Sequence, residues 1–416
     1  MKIMIVADGR SPITLRWVQG LIYLGYHVTL VSTYPCQPIE GVVQQFSLPV
    51  AFASMGGSQS TRPSCSSTPM PGLRPLISRF RSAFMAGRYY FGPWNVDRTQ
   101  AAFKHLVDQV KPDLVHALRI PFEGMLAAYT PVEIPLAVSI WGNDLTFHAK
   151  GSPWMGSATR RTLERADALV ADASRDIELG KVWGFSSQKN TLVVPGNGGI
   201  RPDLIPGRQP QTLSFLQGIP SQAPLVVNPR GFRPGSVRND IFFYAMPLVL
   251  QRNPDVYFVC PAMAGQSQAY RWVRHFHIEK RVKLLPLLPQ EQLWNLFSQA
   301  QVFASISSHD GTPNSFLEAM ACGCFPLVGD IESLREWITP GVNGLVVEPS
   351  QPQQVAEAIL QVVQDDYLRE NAAQYNHELI ETRASVNVTR QKIDEFYRRL
   401  ITPSKVDLAG LNRLMQ

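Results

Sequence analysis

Asp310 and Glu318 are two carboxylates with seven residues between them in a chain of 416 residues. The run they bracket is DGTPNSFLE, and it continues as AMACGCFPLV to residue 328. Gly311 and Pro313 set a turn; Asn314 or Ser315 is placed to cap a helix whose body is FLEAMA, and Gly323 closes it. A glycine-containing loop that runs into a helix start is an anion site, because free backbone N–H groups and the helix dipole both point at the ligand. Asp310 stands at the entrance of that loop, and Glu318 faces the same mouth one turn into the helix. Carboxylates so placed bond sugar or ribose hydroxyls while the backbone holds phosphate. The plainer reading of the same pattern is a capped helix with two surface acids.

These residues need a scaffold, and the chain supplies two repeats of one pattern. IMIVA (3–7) reads as a buried strand, Ile13, Trp17, Leu21 and Leu24 recur at helix spacing, and HVTLVS (27–32) is a second strand. A β-α-β opening means a parallel sheet with helices on its faces. Further strands are expected at 113–118, 136–140, 168–171 and 191–195, and a second set at 225–228, 257–260, 283–286, 302–305, 325–328 and 344–348. The expected architecture is α/β, with two doubly wound Rossmann-like domains facing a cleft, divided at 1–205 and 206–380 near a proline cluster (Pro202, Pro206, Pro210, Pro220). Residues 381–416 form a C-terminal helix expected to pack back on the first domain. Residues 51–75, rich in Ser, Pro, Gly and Thr, read as a flexible insertion.

Hydrophobic residues make up 45% and charged residues 17%, as in a folded globular protein. The formal net charge of +6 favours anionic partners without choosing among them. Nucleic acid is disfavoured, because the basic residues are dispersed and no recognition motif appears. Five cysteines without a C-x-x-C pair suit reduced, buried thiols. No His/Cys/Asp/Glu group has metal-ligand spacing and no D-x-D occurs, so neither a metal nor another cofactor is implied. No run approaches the about 20 apolar residues that span a bilayer. A cytoplasmic protein, peripheral at the inner face of the membrane, is the expectation.

The Asp310–Glu318 stretch resembles the donor-site signature of the retaining glycosyltransferases of family four (glycosyl transferases group 1), which have the GT-B fold. That signature is Glu, seven residues, Glu, running into an E-A-M-A-x-G-x-P-like segment; here Asp310 replaces the first Glu and EAMACGCFP follows. Residues 165–200, 284–308 and GVNGLVVEP (341–349) are similar to further family segments, so the likeness extends over most of the chain. It implies sugar transfer from a UDP- or GDP-sugar to a glycan, lipid-linked or small-molecule acceptor. It implies Glu318 on the ribose, Asp310 beside the transferred sugar, and the loop Gly311, Thr312, Pro313, Asn314, Ser315 and Phe316 offering backbone amides. Backbone near Leu285–Leu288 would meet the base. The family's Arg and Lys on the diphosphate fall on Arg230 and on Arg238, with Arg233 as rival. Fixed cations there offset the charge that the leaving group gains.

For the first domain the resemblance implies the acceptor site. Gly9 occupies the family's glycine-rich first loop, where a side chain would block close approach. At the strand end where many members carry His, this chain has Trp141, followed by Gly142-Asn143-Asp144. Asp144 either orients the acceptor or caps the next helix. His116 and His148 are either the substitutes for the missing His or satisfied structural histidines. Residues 76–94 join Arg79, Arg81 and Arg88 to Phe80, Phe84, Tyr89, Tyr90, Phe91 and Trp94; this is a membrane-facing segment or a core helix. The alternatives to a transferase are a nucleotide-sugar epimerase or hydrolase of related fold, and a non-catalytic nucleotide-sugar-binding subunit.

Overall fold

The computed structural model describes residues 1–50, 81–205, 213–233 and 235–402, with side chains from residue 87 in the second of these stretches. The expected insertion at 51–75, the start of the Arg-aromatic stretch with Arg79 and the Arg81 side chain, Pro206 and Pro210, and residues 403–416 lie outside the described residues. The chain divides into two compact units, Met1–Gly198 completed by the residues from Thr389 on, and Gly199–Val388.

The first unit is built on seven strands: β1 Lys2–Ala7, β2 His27–Ser32, β3 Gln44–Ser47, β4 Leu114–Ala117, β5 Leu136–Ile140, β6 Ala168–Ala171 and β7 Asn190–Val193. Their spatial order is β3-β2-β1-β4-β5-β6-β7, and every pairing is parallel. Central strands of such a sheet are covered on both faces, which is why IMIVA is a continuous apolar run and LAVSI is interrupted only by Ser139, rather than either alternating. β3 (QQFS) escapes a reading based on apolar runs because it is an edge strand, partly exposed along its length and held by β2 alone. Helix α1, Pro12–Tyr23, starts on a proline and buries Thr14, Trp17, Val18 and Leu21. Helix α2, Arg81–Val110, is one long element with Pro93 inside it. Helices α3, Pro153–Arg165, and α4, Ser174–Val182, complete the connections.

The second unit has six strands: β8 Leu225–Val227, β9 Tyr257–Cys260, β10 Val282–Leu284, β11 Val302–Ser305, β12 Phe325–Gly329 and β13 Leu345–Val347. They lie in the order β10-β9-β8-β11-β12-β13, again all parallel. The helices are α5 Asn239–Arg252, α6 Ser267–His275, α7 Gln290–Gln299, α8 Asn314–Ala321, α9 Pro352–Gln364 and α10 Asp366–Arg383. Phe242, Phe243, Phe258, Phe297, Phe303 and Phe316 are fully buried in this unit, and truncating one such ring to alanine costs about 3–5 kcal/mol. Cys260, Cys322 and Cys324 are buried free thiols, and burial pushes each well above the usual thiol range.

The last helix, α11, Val386–Ile401, returns to the first unit. Its Ile393, Phe396 and Tyr397 join Trp17 and Tyr26 in that unit's core. Trp17 Nε1 donates to the Tyr397 hydroxyl at 3.2 Å, and the Tyr26 hydroxyl donates to Asp394 at 2.6 Å.

Candidate functional site

In a doubly wound sheet the crevice for a ligand opens at the carboxyl ends of the two neighbouring strands whose connections run in opposite directions. In the second unit those strands are β8 and β11. The loop after β8 carries Arg230, and the loop after β11 carries Asp310. The two side chains form a short ion pair, with 8% and 17% of their surfaces exposed. The pair is held from both sides. Arg230 N donates to Asn228 Oδ1 at 3.2 Å, Asn228 Nδ2 to Asn239 Oδ1 at 3.2 Å, and Asn239 Nδ2 to the Gly231 carbonyl at 2.9 Å. Asp310 accepts from Ser307 Oγ at 3.3 Å and from Gly311 N at 3.2 Å, and its own carbonyl accepts from Ser333 Oγ at 2.9 Å. β12 ends beside this loop at Gly329, where a Cβ would lie 2.1 Å from the Ser307 carbonyl oxygen, so only glycine fits.

Arg233 lies by the same pair. The Arg230 cation, and after it burial, push Arg233 down to about 10, with Asp310 opposing. The residue keeps solvent-exposed surface, so the neighbouring charge rather than desolvation is the cause to weigh. Two guanidinium groups thus share one carboxylate, which leaves positive charge for an anion. Arg238 is elsewhere: it stands at the start of α5, paired with Asp240 at 2.8 Å, and hydrogen bonding to Asp240 raises its already high value. Of the two rivals for the second cation, Arg233 is the one beside Arg230 and Asp310.

The helix start differs from the expectation in one respect. Pro313, not Asn314 or Ser315, is the N-cap of α8, with φ −64° and ψ 131°, and no side chain caps it. Proline's fixed φ turns the chain into the helix without a capping hydroxyl. The amides of Asn314 and Ser315 in the first turn therefore keep no intrahelical acceptor. The Phe316 amide donates to the Pro313 carbonyl at 3.0 Å and its ring is fully buried, while the Gly311 amide is taken by Asp310. Neither matches the donor contact expected of it. Thr312 is 3% exposed and its hydroxyl accepts from Trp337 Nε1 at 3.1 Å. Glu318 is 6% exposed and accepts from Gln290 Nε2 at 2.7 Å. Gln290, Asn228, Asn239, Ser307 and Ser333 were not legible as site residues; the signal that marks Asn228 is a polar residue directly after the wholly apolar strand β8.

In the first unit the corresponding crevice lies between β1 and β4. It holds a cavity of about 420 Å3 lined by Asp8, Arg10, Tyr34, Arg88, Arg119, Glu123 and Trp141, among others. Asp144 does not line it. Its carboxylate is fully buried beneath, pairs with Arg119 Nε at 2.9 Å and accepts from Trp141 N at 3.1 Å and Ile120 N at 3.3 Å. Burial works to raise this carboxyl, while Arg119 and the two amides work to keep it ionised. Against burial, the Asp144 charge holds Arg119 above its ordinary value, and we treat the two as an ion pair. Asp144 therefore neither contacts an acceptor nor caps a helix by a side-chain bond; it positions Arg119 and the Trp141 loop.

Gly9, His116 and His148 are all built into the packing of the first unit. Gly9 is buried, and a Cβ on it would meet Cys36 Sγ at 2.3 Å and Ser32 Oγ at 2.9 Å, so the glycine serves the packing of its own loop. His116 is fully buried between Tyr397 and Ser139 Oγ (2.9 Å), and burial pushes it down to about 3. His148 bonds the Tyr89 hydroxyl at 2.9 Å and is pushed down to about 3 by burial and then by Arg119 and Arg88. Neither histidine lines the cavity. The Arg-aromatic stretch splits its roles. Arg88 donates to the Tyr34 hydroxyl at 2.8 Å and lines the cavity. Tyr90, Phe91 and Trp94 are about half exposed and, with the exposed Trp154 of α3, line an apolar groove of about 600 Å3.

Among the described residues no group of three or more His, Cys, Asp or Glu side chains could hold a metal ion, and no helix is long and apolar enough to cross a membrane.

Residues 238–379 match the family described as glycosyl transferases group 1. Over 258 residues the chain is 26% identical to a D-inositol 3-phosphate glycosyltransferase of Corynebacterium urealyticum, covering 58% of this chain and 59% of that protein, less than two thirds of its length. The fold is similar to that of sucrose-phosphate synthase from Thermosynechococcus elongatus, with a TM-score of 0.71 at 15% identity over 96% of this chain and 99% of the other. It is also similar to Anabaena HepE in complex with UDP and glucose, with a TM-score of 0.66 at 16% identity over 95% and 98%.

Proposed function

We propose, from the premise that this chain belongs to the glycosyl transferases group 1 family and has the GT-B fold, that it moves a sugar from a nucleotide-sugar to an acceptor hydroxyl with retention of configuration. The observation that carries this reading is the buried Arg230–Asp310 pair, with Arg233 beside it, at the switch point of the second sheet. The diphosphate of the donor meets Arg230, Arg233 and the first-turn amides of Asn314 and Ser315. Glu318 accepts from ribose hydroxyls, and Asp310 accepts from a hydroxyl of the transferred sugar. The anomeric C–O bond to the diphosphate breaks, and the acceptor oxygen bonds the same face of that carbon. The acceptor proton passes to the departing phosphate oxygen. The two arginines offset the charge that the leaving group gains, so the step needs no metal.

The donor is a UDP- or GDP-sugar; HepE, with its bound UDP and glucose, supports the first. The acceptor, a glycan or lipid-linked glycan, enters the cavity of the first unit. Tyr90, Phe91, Trp94 and Trp154 form the apolar face that meets a membrane surface, because exposed aromatic rings settle at the lipid–water interface. The protein then works in the cytoplasm at the inner face of the membrane.

The deciding experiment incubates the full chain with UDP-, GDP- and ADP-sugars and an acceptor extract, with and without EDTA. Released nucleoside diphosphate and transferred sugar are both measured. Transfer that survives EDTA supports the reading. Binding without turnover would point instead to a non-catalytic subunit, and altered sugar without transfer to an epimerase or hydrolase.

A further inference from the structure

We propose that the cavity of the first unit takes an acceptor carrying a phosphate ester, with Arg88 reading its charge and Glu123 a neighbouring hydroxyl. The word acceptor rests on the transferase reading; the binding itself does not.

Three guanidinium groups line this cavity. Two of them have carboxylate partners: Arg10 pairs with Asp8 at 2.9 Å, and Arg119 with Asp144 at 2.9 Å. Arg88 has none among the described residues. It donates to the Tyr34 hydroxyl, and its Nε is buried without a partner. A guanidinium with an idle buried donor costs free energy until an acceptor arrives, and a phosphate oxygen is the acceptor its planar fork fits best. Each of the three groups also lies over an aromatic ring: Arg10 over Tyr34 at 3.7 Å, Arg88 over Phe122 at 4.8 Å and Arg119 over Trp141 at 5.0 Å. Stacking fixes the plane of each fork in advance, so little side-chain freedom is lost on binding.

Glu123 is the second idle group. It is 7% exposed; its Oε1 accepts from Thr33 Oγ1 at 2.8 Å, while its Oε2 is buried without a partner. Burial works to raise this carboxyl, with Arg119 opposing. The cavity thus offers an anion the Arg88 guanidinium, which has no carboxylate partner among the described residues, and offers a hydroxyl one carboxyl oxygen. A phosphorylated sugar supplies both groups within one small ligand, and a volume of about 420 Å3 is within the range of small-ligand sites.

The test uses the full chain with either UDP or GDP present in excess, so that the second unit's site is filled. Glucose, glucose 6-phosphate and farnesyl diphosphate are titrated by calorimetry. The expected result is that glucose 6-phosphate or farnesyl diphosphate binds more tightly than glucose. Which of the two wins tells a phosphorylated sugar from a lipid diphosphate. Arg88→Gln then weakens the anionic probe about 30-fold, and Arg88→Lys, which keeps the charge and loses the fork, weakens it less. Nucleotide affinity, measured separately, stays as in the parent chain, which also reports that the variants are folded. Equal binding of charged and neutral probes, no binding of either anionic probe, or an Arg88→Gln chain that keeps its preference would each overturn the proposal. Loss of sugar transfer with the Arg88-dependent binding intact would overturn the transferase reading alone.

Discussion

Arg230 and Asp310 stand 80 residues apart in the chain and meet as a buried ion pair past the ends of β8 and β11. Neither residue is placed by its own helix or strand. Each leaves a short strand at the point where the sheet's connections part, and amides and hydroxyls around them fix the geometry. Removing Asp310 leaves the Arg230 guanidinium buried beside Arg233 with no carboxylate between them, and an unmatched buried charge costs about 3–5 kcal/mol. Asp310→Ala is therefore expected to lower the melting temperature more than Arg230→Ala with Asp310→Ala together. Thermal unfolding of the two single variants and the double variant decides this. Strictly additive losses would mean the pair is not coupled.

Arg233 should behave in the opposite sense. Its folded value, about 10, lies below the ordinary 12.5, chiefly through repulsion from Arg230. A cation with a lowered folded value penalises the fold wherever it is charged in both states. The penalty is complete at neutral pH and relieved as pH rises through about 10. Arg233→Gln is thus expected to melt at a higher temperature than the parent at pH 7 while binding UDP or GDP more weakly. Melting curves with and without nucleotide test both halves. A lower melting temperature without ligand would refute the repulsion.

Glu318 is a test of the ribose contact. Its carboxylate is nearly buried and already holds Gln290 at 2.7 Å, so it is oriented before the donor arrives. A hydrogen bond to a charged group contributes about 1.5–3 kcal/mol, which is roughly 10- to 100-fold in affinity. Glu318→Gln should raise the dissociation constant of the nucleoside diphosphate by that factor. Gln290→Ala should raise it less, since Gln290 reaches the ribose contact through Glu318. Calorimetric titration gives both values, and unchanged affinity in Glu318→Gln would place the ribose elsewhere.

The sequence made the architecture legible and the arrangement of the site only partly so. Strands such as LAVSI, ALVA, YFVC and VFAS are legible because a strand buried on both faces is mostly apolar along its length. β3 is not, because an edge strand can be polar. Asp310 and Glu318 could be placed by the chemistry of a loop running into a helix, and Arg230 only by the family resemblance. The choice between Arg233 and Arg238 could not, since it depends on Asp240 drawing Arg238 aside at 2.8 Å. Asp144 misled for a related reason. Its place after a strand suits a ligand-binding acid, yet its partner Arg119 lies 25 residues earlier, on the loop after β4.

His116 and His148 give the last prediction, because both are held neutral in the first unit, His116 fully buried and His148 half-buried. Each is pushed from the ordinary 6.5 down to about 3, chiefly by burial. In the unfolded chain both take up protons as pH falls through 6.5, while the folded chain takes up none until about 3. The unfolded state therefore binds more protons over that window, and stability falls as pH falls. The effect is absent above pH 7 and grows from about 6.5 downward. His116 is wedged between Tyr397 of α11 and Ser139 of β5, so its protonation loosens the contact that ties the last helix to the first sheet. Urea unfolding at pH 7 and pH 5, followed by far-ultraviolet circular dichroism, should show a lower midpoint at pH 5. His116→Gln, which cannot take up a proton, should lower the midpoint at pH 7 and narrow the gap between the two pH values. A gap as wide in the variant as in the parent chain would assign the acid sensitivity to other groups.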